Sequence, residues 1–64
     1  NVAEFLAALG LEEYVAAFLG DGYDTLDVMQ DLSEAEIGEF IHKRGHVKRL
    51  VKALEALRAS TTVV

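Results

Sequence analysis

His42 and His46 stand four residues apart, the spacing at which two imidazoles on one helix face can share a metal ion. Zinc takes at least three protein ligands, and a chain with two histidines and no cysteine would have to recruit carboxylates. No third ligand lies within sequence reach, and Gly45 is expected to break the helix between the two rings, so no metal site is assigned. His46 reads instead as a structural histidine that packs or hydrogen-bonds at the start of the last helix. A pH-sensing role is chemically open to it, but nothing else in the sequence calls for one.

Other reactive types fare no better. Glu12-Glu13 is a carboxylate pair, yet it falls on an exposed helix with no pocket to shift a pKa toward acid–base work. No serine has a base and an acid arranged near it. The reading is therefore not an enzyme, with no catalytic, cofactor or metal residues and no small-molecule substrate. Tyr14 falls on a core stripe with its hydroxyl at the surface. Tyr23, after a glycine turn, is the better candidate for contact or phosphorylation.

What the charges can do is associate. All six basic residues (Lys43, Arg44, Lys48, Arg49, Lys52, Arg58) lie after position 42, and of eleven acids only Glu55 lies among them. Residues 1–42 thus carry −10, residues 43–64 carry +5, and the chain nets −5. One acidic pole and one basic pole on so small a body favour pairing between copies or close relatives. The acidic balance disfavours wholesale nucleic-acid binding, though the basic third could touch phosphate locally.

Sixty-four residues make one domain of marginal stability, in which every apolar face must be used. Without cysteine, neither disulfides nor a thiolate metal site can staple it. That fits an intracellular protein, cytoplasmic or nuclear. No apolar run reaches the ~18 residues of a membrane span and no signal peptide is visible. The chain begins without methionine and reads as a module of a longer protein, with a domain at 1–58 and a tail at 59–64.

The elements that position these residues are helices. There is no proline, and apolar residues recur at three- and four-residue spacings. Asn1 caps a first helix striped by Val2, Phe5, Leu6 and Leu9, with Glu4 completing an approximate capping box and Gly10 ending it. Leu11, Tyr14, Val15, Phe18 and Leu19 share one side of a second, ended by Gly20-Asp21-Gly22. Asp24 or Thr25 caps a short third, with Leu26, Met29 and Leu32 inward. Ser33-Glu34-Ala35-Glu36 is a capping box for a fourth that buries Ile37, Phe40 and Ile41. Lys43-Arg44-Gly45 interrupts, and the last helix runs from about His46 to Arg58 on Leu50, Val51, Ala53, Leu54 and Leu57. Lys48, Lys52 and Glu55 take its opposite face. The fold class is all-α, a compact five-helix bundle.

Leu9-Gly10-Leu11-Glu12-Glu13-Tyr14, Phe18, Gly22-Tyr23-Asp24-Thr25-Leu26, Asp31-Leu32-Ser33-Glu34 and Gly45-His46-Val47-Lys48-Arg49-Leu50 together resemble the sterile alpha motif, or SAM, domain from Val2 to Arg58. No one of these segments is decisive; their order and spacing are. The resemblance implies a five-helix interaction module of the kind found in scaffold, signalling and transcription proteins. It also implies a docking mode, in which an acidic mid-loop surface binds an end-helix surface on another SAM domain. Matched here, the mid-loop surface is Tyr23, Asp24, Asp27, Val28 and Asp31. The end-helix surface is Lys43, Arg44, Gly45, His46, Val47, Lys48, Arg49 and Lys52.

These sets coincide with the two charge poles, so head-to-tail self-association into an open polymer is the expected function. A heterotypic adaptor using one surface is the alternative. An RNA-hairpin binder is a lesser one, since SAM domains that do this look more basic. Two features depart from the family pattern. Phe40 runs directly into Ile41 without the glycine that usually precedes the aliphatic end of helix 4, which makes the connection to helix 5 one residue short. Gly38 sits inside helix 4, where it should cost ~1 kcal/mol relative to alanine unless close packing requires it.

Overall fold

A computed structural model describes residues 1–61. Among these residues the chain forms α1 (Val2–Ala8), a 3₁₀ turn (Glu12–Tyr14), α2 (Val15–Gly20), α3 (Leu26–Met29), α4 (Glu34–Phe40) and α5 (Arg44–Thr61), with no strand. The architecture is the expected all-α bundle of five helices.

Local chemistry explains where most elements start and stop. Asn1 Oδ1 accepts from the Glu4 backbone N–H at 2.8 Å, and Thr25 Oγ1 accepts from that of Val28 at 3.3 Å. At α4 both halves of the capping box form: the Glu36 N–H donates to Ser33 Oγ at 3.2 Å, and the Ser33 N–H donates to Glu36 Oε1 at 2.9 Å. Among the described residues, Gly10 (φ 75°) and Gly22 (φ 93°) are the positions with left-handed backbone. Each closes a Schellman turn, in which Leu11 N–H donates to Leu6 O at 2.8 Å and Tyr23 N–H donates to Phe18 O at 2.9 Å. A side chain at either glycine would be strained.

The core is Val2, Leu6, Leu11, Phe18, Met29, Leu32, Ile37, Ile41, Leu50 and Leu54, drawn from every helix. Phe18 sits at its centre, its ring 4.5 Å from Phe40 and edge-on to Tyr23 at 6.2 Å. Two arginines of α5 brace the shorter elements. Arg49 Nη1 donates to the Leu9 carbonyl at 2.9 Å, satisfying an orphan acceptor at the end of α1. Arg58 donates through Nε to Gln30 O at 2.7 Å and through Nη2 to Leu32 O at 3.1 Å, holding the turn after α3.

Three expectations are corrected. Leu19 was expected on the buried side of the second helix but is 42% exposed. The chain winds as a 3₁₀ turn through Tyr14 before becoming α-helical, at three rather than 3.6 residues per turn, and this rotates Leu19 off the stripe that ends at Phe18. Gly45 does not interrupt: α5 begins at Arg44, so Gly45 lies in its first turn, where a helix tolerates glycine better than in its middle. The last helix also extends past Arg58 to Thr61; of the expected tail 59–64, residues 62–64 lie outside the described ones.

The short connection between α4 and α5 is residues 41–43, and it costs the core nothing, because extended Ile41 is buried. Gly38 is not required by packing, since a Cβ built there meets no atom within 4 Å. Gly38→Ala should therefore raise stability by about 0.5–1 kcal/mol through helix propensity alone, read as a higher thermal midpoint.

Candidate protein-interaction surfaces

Between Gly22 and Leu32 the chain makes one helical turn with loops on both sides. Leu26, Met29 and Leu32 face the core, which turns the residues between them outward. Asp24, Asp27 and Asp31 are all exposed, and Val28 among them is 38% exposed, one of two large exposed hydrophobics, with Leu19, among the described residues. Four of the five predicted mid-loop residues are thus exposed, three aspartates with a valine among them. Tyr23 differs from its companions. Its ring is half-buried, edge-on to Phe18 and, at 5.7 Å, to Phe40. Burial, with Glu36, Asp21 and Glu39 adding negative potential, raises its hydroxyl above the usual tyrosine range, so it stays protonated through neutral pH.

At the other pole, Arg44, Lys48 and Lys52 recur every four residues and form an exposed ridge along α5, with Lys43 and Gly45 exposed at its start. Val47 is half-buried, packed against the core on one side and lining a groove of about 240 Å³ with Glu34, Arg44 and Lys48 on the other. His46 is also half-buried. Its Nδ1 shares a hydrogen bond of 2.7 Å with the Tyr14 hydroxyl, and Glu13 Oε1 lies 4.0 Å away. This is the structural role expected of His46. It ties the start of α5 to the 3₁₀ turn, and His42 lies outside the helix that carries it. Among the described residues no group of three or more His, Cys, Asp or Glu could hold a metal, and no helix is long and apolar enough to cross a membrane.

Arg49, like His46, is engaged within the chain: its tip donates to Leu9 O at the end of α1. The sequence marks Glu34 only as part of a cap; the structure adds it to the groove beside Arg44, Val47 and Lys48.

The electrostatic feature that matters is what the charges do not do. Neither Asp24, Asp27 and Asp31 nor Lys43, Arg44, Lys48, Arg49 and Lys52 make an ion pair within 4.0 Å among the described residues. These aspartates and these cations are not ion-paired to each other, and each set has an aliphatic side chain amid the charge.

A family profile described as SAM domain (sterile alpha motif) matches residues 1–58. Among curated proteins, the human ankyrin repeat and SAM domain-containing protein 1A is 36% identical over 56 residues, covering 84% of this chain and 5% of its own length. Human Caskin-2 is 39% identical over 62 residues, covering 91% of this chain and 5% of its own. Caskin-1 of Rattus norvegicus is 33% identical over 58 residues, covering 89% of this chain and 4% of its own. The chain therefore spans about a twentieth of the length of these relatives. No solved structure gives a significant match.

Proposed function

The chain belongs to the sterile alpha motif family, whose domains are generally protein–protein interaction modules, and from that premise we propose that it self-associates head to tail, acidic mid-loop surface to basic end-helix surface. The observation that carries this reading is the coexistence on one chain of two oppositely charged residue sets that are not ion-paired to each other. Charge complementarity steers encounter and fixes register, while Val28 and Val47 supply the desolvated contact that gives an interface its energy.

Such a contact is heterologous. Each bound copy leaves one surface of each kind free, so assembly continues as an open helical polymer unless the rotation closes a ring. Tyr23 supports the mid-loop surface from behind, as a half-buried wedge on Phe18 and Phe40.

The test is weight-average mass at fixed concentration across a salt series. Because the docking charges are exposed, assembly should weaken as the Debye length falls from ~10 Å at 0.1 M to ~3 Å at 1 M. Assemblies that persist or grow at high salt would show that apolar contact dominates. A monomer at every salt that gains mass only with another SAM domain would make the module a heterotypic adaptor instead.

A further inference from the structure

Glu34 is the one acid in the groove at the start of α5, which it shares with Arg44, Lys48 and half-buried Val47. It belongs to α4, where it is exposed, and it forms no ion pair within 4.0 Å with either cation. The groove thus offers two cations, an aliphatic wall and one uncompensated carboxylate. Helix capping does not demand that carboxylate. The α4 box is made by Ser33 and Glu36, and Glu34 adds only a negative charge near a helix N-terminus.

Seen from an incoming acidic face, Arg44 and Lys48 attract while Glu34 repels. We propose that Glu34 is a built-in repulsive element of the end-helix groove, one that weakens docking of a second copy of this chain. The occupant it opposes is the exposed Asp27-Val28 pair of that copy, whose valine fits the Val47 wall and whose carboxylate fits Arg44 and Lys48. The acidic half of the chain contains no lysine or arginine that could turn Glu34 into an attraction. Specificity set by a like charge as well as by attractive ones is a general device of selective interfaces. This inference rests on the head-to-tail reading above.

The experiment measures mass against concentration for the native domain, Glu34→Gln, Glu34→Lys and the control Glu4→Gln. The control makes the same charge change in the first turn of α1, away from the groove. Glu34→Gln should assemble at a concentration about two- to fivefold lower than the native domain at low salt, and Glu34→Lys lower still. The gain should fade toward 1 M salt, where the Debye length is ~3 Å, and Glu4→Gln should show none. Thermal melts on each variant confirm that folded domains are compared.

If the native domain assembles and Glu34→Gln does so no more readily, the repulsive role is overturned while the head-to-tail reading stands. If the native domain is monomeric but Glu34→Gln assembles, the brake is supported and strong enough to mask the contact; assembly by Glu34→Lys without Glu34→Gln would be a new attraction and would overturn the brake. If all of them stay monomeric at every concentration, both ideas fall together.

Discussion

Val47→Glu should leave a folded domain that no longer associates. Val47 is half-buried, with one side on the core and the other in the groove beside Arg44 and Lys48, so the substitution acts on both links at once. Loss of its apolar burial should cost about 1–2 kcal/mol. The new carboxylate has an open groove and two cations to reach, so it is not trapped in the core as an unpaired charge. In a domain this small that loss lowers the melting midpoint noticeably without unfolding it. Assembly should suffer far more, by about thirtyfold or above, because a central apolar anchor is replaced by a charge facing the partner's aspartates. Melts and sedimentation on the same sample separate the two effects. Val47→Ala, which adds no charge, should also weaken assembly. If it lowers stability yet assembles like the native domain, Val47 belongs to the core alone.

Much of this arrangement is legible in the sequence because its determinants are local. Ser33 and Glu36 announce the start of α4 by type and spacing alone, and the capping box forms as read. Gly10 marks a left-handed turn, Gly20-Asp21-Gly22 marks a helix end of which Gly22 takes the left-handed position, and the period of Leu50 and Leu54 predicts which face of α5 is buried. The separation of charge is visible before any fold is known.

What escaped reading depends on distance or on fine helical geometry. Leu19 leaves the core because a few residues wind at the 3₁₀ pitch, a difference that apolar spacing does not encode. Gly45 has the composition of a stop signal, yet α5 begins one residue earlier, because residues 41–43 alone complete the link from α4. Arg49 looks like its neighbours until α1 packs nearby and its tip finds the Leu9 carbonyl, 40 residues away in sequence. The same holds for Glu34, which joins the basic groove only when α4 and α5 fold against each other.

Charge reversal at one point on each surface has the largest expected effect and bears on the two-surface contact itself. Asp27 and Lys48 are both exposed and outside the core, so neither Asp27→Lys nor Lys48→Glu should unfold the domain. Lysine in the first turn of α3 opposes that helix's dipole and should cost about 0.3–1 kcal/mol; glutamate near the start of α5 does not oppose its dipole. Each variant loses one surface and keeps the other, so each alone should be monomeric at a concentration where the native domain assembles. Mixed in equal amounts, the Asp27→Lys copy offers an intact end-helix surface and the Lys48→Glu copy an intact mid-loop surface. These pair, and the pair is capped at both ends by altered surfaces. The reversed residues could restore at most one contact between those ends, which would demand higher concentration. The decisive measurement is the mass of that equimolar mixture by sedimentation. Head-to-tail docking predicts monomers separately and a dimer together, whereas variants that polymerise on their own, or a mixture that stays monomeric while the native domain assembles, would contradict it.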